Sequence, residues 1–324
     1  MYYITIETKC NALHFERNCD KVASGDKMKN QIKSSLLLIL ATIIWGSAFV
    51  SQKLGMDHIG PFTFQAVRSF LAVIGLLPII YLLDKRDNCH MSYFRRWMNK
   101  KLWLGGILCG IPLFLACNLQ QVGLVDTDSG KSAFLTAMYI VLVPIIGIFR
   151  RKKPSPIIPV SVALAVFGLY ALTGANGKIT ISDLLLIGCA VMFSLQITFV
   201  DIFAPDVDAL RLNTIQVFIC SVLSAVMMVF TETPTWEGIG KAWIPLAHTG
   251  FLSMGAAYSL QIVGQKHLEP STASLIMSLE SVFALLFGWL ILGDWLTGWE
   301  TVGCICIFIA VILSQIPVKK KSTV

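Results

Sequence analysis

The sequence predicts an all-α polytopic membrane protein, with ten transmembrane helices arranged as two inverted five-helix repeats. Composition is the first reason. Charged residues make up 14% of the 324, against about 25% in an ordinary soluble domain, while hydrophobic residues make up 55% and mean hydropathy is +0.71. A soluble globule needs more polar surface than this chain can supply, which argues against a soluble enzyme, a nucleic-acid binder and a disordered chain. The second reason is that the apolar residues fall into ten continuous runs of about 20, the length at which a helix crosses a bilayer with its own backbone satisfied. The third is that the second half of the chain matches the first.

The runs are 34–55, 61–83, 102–122, 128–149, 155–173, 182–203, 210–231, 243–264, 271–292 and 298–316. They are continuously apolar, whereas a β-barrel strand would alternate, and the loops are too short for an extramembrane domain. The first run contains Trp45 and Ser47. The second contains Arg68 and Pro78, and the third Pro112 with Gly106 and Gly110, a small-xxx-small pair suited to close helix contact. The fourth contains Tyr139 and Pro144. Ser194 and Gln196 lie in the sixth, between Asp183 and Asp201 near its ends. Gln261 lies in the eighth, Glu280 in the ninth, and Cys304 and Cys306 in the last. Residues 1–33 are expected to be a disordered polar segment, with Met28 reading like a natural start of its own, and 317–324 a basic tail. No signal peptide is expected. The nine cysteines show no zinc spacing and read as small apolar packing groups.

Orientation follows from the cations. Six precede the first run, six lie in the loop after the second, four at Arg150–Lys153 and three at Lys319–Lys321. With Arg211 and Lys266, one side collects 21 of 26. Both termini are therefore expected in the cytoplasm, at the cell membrane. The net charge of +7 follows from topology and implies no nucleic-acid partner.

An offset of 141 residues lays Leu119-Gln120-Gln121-Val122-Gly123 on Leu260-Gln261-Ile262-Val263-Gly264, with six identities over 29 positions. It pairs Tyr139 with Glu280. An offset of 148 pairs Trp45 with Phe193 and Arg68 with Gln216. Each half has five spans, an odd number, so the second enters the membrane upside down. Inverted halves meeting near the midplane suit alternating access.

Trp45-Gly46-Ser47-Ala48-Phe49-Val50, Arg68, Ser278-Leu279-Glu280-Ser281-Val282-Phe283 and Leu292-Gly293-Asp294 resemble the drug/metabolite transporter superfamily in its EamA-type branch. With Val302-Gly303 the resemblance covers about residues 30–316. It implies repeats over 34–173 and 182–316, and a transporter with no cofactor.

Charges within spans are the leading site candidates, because insertion of each costs roughly 2.5–3.5 kcal/mol. Arg68 lies about 10 Å below the outer boundary and is expected to anchor a substrate carboxylate. Glu280, near the midplane, is expected to meet an amine or carry a proton. Trp45, Ser47, Tyr139 and Gln196 form a second tier of binding candidates, and Gln120 and Gln261 are assigned to gating or helix packing. For any single residue, plain packing or snorkelling is the competing reading. The expected function is a permease or exporter for a small polar metabolite, such as an amino acid, with protons as a coupling ion. The alternative is a carrier for sugars or phosphorylated metabolites. An intramembrane enzyme is disfavoured, since no Gly-x-Ser-Gly serine and no pair of mid-span aspartates is found, and no metal site is expected. A non-transporting membrane scaffold is the remaining alternative.

Overall fold

A computed structural model describes residues 2–86, 93–127, 129–151, 155–173, 180–293 and 298–316, the side chains of 2–27, 172–173, 292 and 300 excepted. All ten apolar runs are helical. We number them α1 (Tyr2–Met56, spanning from Met28), α2 (Pro61–Arg86), α3 (Lys100–Val125), α4 (Ser129–Phe149), α5 (Ile158–Thr173), α6 (Ile181–Phe203), α7 (Ala209–Thr231), α8 (243–265), α9 (270–292) and α10 (Gly298–Ser314). Among the described residues seven helices are long and apolar enough to cross a membrane by length and composition: α1–α4, α6, α7 and α9. The apolar parts of α5 and α10, Ile158–Ala171 and Thr301–Ser314, are shorter. α1 reaches into the segment expected to be disordered, and residues 28–33 are the first turns of its spanning part. Asp294 lies outside the described residues.

Starts are set by local chemistry. Asn99 caps α3 by accepting from Lys101 N (2.9 Å). Thr180 and Asp183 form a reciprocal capping box on α6, and Asp208 accepts from Arg211 N (2.8 Å) at α7, so the orphan amides of these first turns are used. Pro61 and Pro270 open their helices, where a missing N–H costs nothing.

Three helices are interrupted, and not at their prolines. α4 breaks after Ala137 and α9 after Met277, where Val141 N→Met138 O (3.1 Å) and Ser281 N→Ser278 O (3.2 Å) tighten the turn to the three-residue pattern. Ser278 and Ser281 also bond back to carbonyls three residues earlier (2.7 and 2.6 Å), which bends a helix. α8, expected as one helix, consists of Trp243–Ala247, a π-helix over His248–Ala257, and Tyr258–Gln265.

The packing repeats itself. α3 lies on α6 as α8 lies on α1, α3 on α7 as α8 on α2, and α4 on α6 as α9 on α1; α2–α7 and α5–α10 pack each repeat against its mate. The correspondence holds at single residues. A Cβ on Gly123 would meet Leu186 and Ser182 O (3.1 Å), and one on Gly264 would meet Leu38 and Ser34 O (3.1 Å). Offsets of 141 and 148 interconvert the two contacts, so both registers read from the sequence are the structural ones. The π-helix shows in the same comparison. Gly110 packs on Gln216 O and Ile219 in α7, and Gly250 on Arg68 O and Leu71 in α2. Their spacings to Gly123 and Gly264 differ by one residue, the insertion that a π-turn accommodates. Gly106 packs on Ile215, so the small-residue pair of α3 is a close contact with α7.

Candidate functional site

A cavity lies between the halves, lined from α1, α2, α3, α4, α6, α8 and α9. Trp45, Ala48, Phe49 and Gln52 of α1 face it, a spacing of three, four and seven that keeps one helical face inward. Their mates at offset 148, Phe193, Gln196 and Ile197, face it from α6. Gln120 and Gln261, and Tyr139 and Glu280, are mates at offset 141 that line it as well. Two pairs of mates touch: Tyr139 Oη donates to Glu280 Oε1 (2.9 Å), and Cys117 Sγ lies 3.7 Å from Tyr258 Oη. A residue touches its own mate only on the pseudo-twofold axis, so the axis runs through this cavity.

Arg68 and Glu280 both line it and are 2% and 6% exposed. Arg68 Nε donates to Gln65 Oε1 (2.6 Å), and its guanidinium lies 5.6 Å from the Phe64 ring centroid. Gln65 is held in turn through Nε2 by Ser69 Oγ (2.9 Å) and Cys220 Sγ (3.2 Å). Glu280 has a phenol as partner and Arg68 an amide. No ion pair joins the two, nor either of them to another side chain, among the described residues.

The remaining walls are aromatic and amide-bearing. The Trp45 and Tyr258 rings meet edge to face (5.0 Å), as do Tyr139 and Phe193 (6.5 Å); Trp45 Nε1, Gln52 Oε1 and Gln261 Oε1 are buried without a partner. Gln261 donates to Gln196 (3.1 Å), Gln196 to Gln216 (3.2 Å), and Gln216 to Asn213 (2.9 Å), whose amide reaches Met254 O and Gly255 O in the π-helix (3.1 and 2.9 Å).

Of the residues expected from sequence, Arg68, Glu280, Trp45, Tyr139 and Gln196 meet in this cavity. Gln120 and Gln261, assigned to gating or packing, line it as well. Ser47 does not: it bonds Ile44 O (2.8 Å) and His248 Nε2 (3.2 Å). Ser194 bonds Val191 O. Lys53 reaches Thr127 O, Lys131 pairs with Asp183, and Arg150 pairs with Asp201, all near helix ends. Sequence reasoning missed Gln52, Tyr258 and the orienting Gln65. Among the described residues no group of three or more His, Cys, Asp or Glu could hold a metal.

Known proteins agree with this architecture. The model of the EamA-like transporter family matches the chain twice, over residues 32–174 and 180–315. An uncharacterized transporter of Archaeoglobus fulgidus is 32% identical over 304 residues, covering 92% of this chain and 91% of that protein. The uncharacterized transporter YoaV of Bacillus subtilis is 24% identical over 274 residues, covering 82% and 91%. A solved crystal structure superposes with a TM-score of 0.72 at 16% identity, covering 87% of this chain and 96% of that one, a likeness of fold. With both repeats matched and their mates meeting on one axis, the chain belongs to the EamA-like transporter family.

Proposed function

We propose that the protein is a secondary active transporter that exports a small zwitterionic metabolite, an amino acid or a close relative, across the cell membrane by alternating access. The supporting observation is that Arg68 and Glu280 share one cavity without neutralising each other. Burying a charge costs several kcal/mol unless it is matched. A ligand with both a carboxylate and an ammonium matches both at once: the carboxylate takes the guanidinium N–H groups that Gln65 leaves unused, and the ammonium meets Glu280. Trp45 and Gln196 then contact the body of the ligand, and Tyr139 holds Glu280. Glu280 exchanges the ligand's ammonium for a proton, which couples transport to the proton gradient. The cation bias of the loops supports a cytoplasmic position for both termini.

A neutral sugar would leave both charges unmatched, and a phosphorylated metabolite calls for more buried cations than Arg68 alone. The test is thermal unfolding of the purified protein against amino acids, their amides, sugars and phosphates, since a ligand of the native state raises the midpoint by mass action. Amino acids are expected to raise it, and Arg68→Gln to remove the gain for acids far more than for amides. Equal losses for acids and amides would refute the carboxylate role, and no gain from any amino acid would refute the substrate class.

A further inference from the structure

α2 and α7 are mates that pack against each other across the axis, and they are fastened at both ends. Glu232, just past α7, accepts from Phe62 N (2.9 Å), Thr63 N (2.8 Å) and Thr63 Oγ1 (2.6 Å) in the first turn of α2. Its carboxylate thus caps the positive end of that helix. It comes so close that a Cβ on Gly60 would collide with it. At the other end Asp84 of α2 accepts from Arg211 in the first turn of α7, and from Arg96 Nη1 (2.7 Å). Between the clasps Ser221 Oγ donates to Ala66 O (3.1 Å). The offset of 148 carries Asp84 onto Glu232 and Thr63 onto Arg211, so the two clasps are images of each other.

In a carrier built from inverted repeats the halves exchange conformations between access states. A gating contact closed at one face therefore has an open image at the other. Here both images are closed together. We infer that Thr63, Asp84, Arg211 and Glu232 are positioning residues that hold α2 and α7 as one fixed unit through the transport cycle. They keep Arg68, five residues beyond Thr63, stationary while the gates form among the other cavity helices. The contact between Gln196 and Gln261 behaves oppositely: its image falls on Ala48 and Gln120, and an alanine side chain cannot bond, so this contact is made on one side only and marks a gate.

The inference rests on alternating access as proposed above, and its test does not require the ligand. In a cysteine-free variant of the full chain in proteoliposomes, Gln120→Cys reports cavity access to an impermeant thiol reagent from each face. Paired cysteines at Thr63 and Glu232, and at Asp84 and Arg211, are bridged beforehand. With both ends bridged, labelling from each face is expected to stay unchanged, whereas bridging Gln196→Cys to Gln261→Cys should abolish it from one face. Loss of labelling from either face on bridging one clasp overturns the inference. Bridging Ala66→Cys to Ser221→Cys leaves all four clasp residues in place and must give the same result, which guards against variants that fold poorly. One-sided labelling before any bridge would remove alternating access and the fixed unit with it. Two-sided labelling with no stabilising amino acid would refute only the substrate class.

Discussion

Arg68 is oriented by an amide rather than a carboxylate, and that choice decides what the cation can do. Gln65 fills Nε and takes its own orientation from Ser69 and Cys220, leaving the positive charge uncompensated. Gln65→Glu, nearly the same shape, would supply the counter-ion internally. It is expected to leave the unfolding midpoint in buffer near that of the parent and to weaken acid binding about tenfold or more, the equivalent of roughly 1.4 kcal/mol. Undiminished stabilisation by acids would show that Arg68 does not face the ligand carboxylate. Arg68 and Glu280 were legible in the sequence because a charge inside an apolar run has few explanations. Trp45 and Ser47 could not both face a cavity, being two residues and about 200° apart on a helix. Gln52 is on the face of Trp45 by the same count, yet its lysine neighbour and its place near the helix end disguised it. Gln65 was invisible because nothing local distinguishes an amide that orients a guanidinium from one that packs.

Among the elements, α8 departs most from what its sequence announces. Its apolar run reads as one helix, and hydropathy carries no trace of the π-turns over His248–Ala257. The extra residue emerges only when the contacts of Gly250 and Gly264 are set beside those of Gly110 and Gly123. Widening the helix changes the backbone bonding, and Asn213 reaches across from α7 to Met254 O, Gly255 O and Ser259 Oγ (2.9 Å). Asn213→Leu removes a donor from buried carbonyls, a loss of about 1–3 kcal/mol. It should lower the unfolding midpoint and raise amide exchange in α8 more than in α3, which has no such turn. Equal protection in α8 before and after the change would mean that its π-turns are set by packing alone. The breaks in α4 and α9 were equally hidden, since neither apolar run marks Met138 or Ser278 as the place where the helix tightens. The capped starts follow rules that need no tertiary information, and there the boundaries agree with the sequence to within a few residues.

At the scale of the whole molecule, the apolar helical runs and the two offsets were legible because the bilayer fixes helix length and duplication leaves a register. What the sequence could not convey is how closely the halves approach, and the bond between Tyr139 and Glu280 is the measure of that. These residues are mates, so the axis makes their two positions equivalent to first order. Exchanging them, Tyr139→Glu together with Glu280→Tyr, should reform the same phenol–carboxyl bond in mirrored order. The single changes behave differently: Tyr139→Glu sets two carboxyls against each other, and Glu280→Tyr removes the acid altogether. A double-mutant cycle on the unfolding midpoint is therefore expected to show strong positive coupling, with the exchanged protein recovering most of what each single change loses. Function gives a second reading of the same symmetry. Glu280→Gln should abolish pH-driven transport while sparing solute counterflow, because only the proton is lost. The exchanged protein, still holding one acid on the axis, should keep both. Losses that simply add across the cycle would mean that the repeats have diverged too far for mates to be interchangeable. pH-driven transport that survives Glu280→Gln would instead place the coupling proton on another residue.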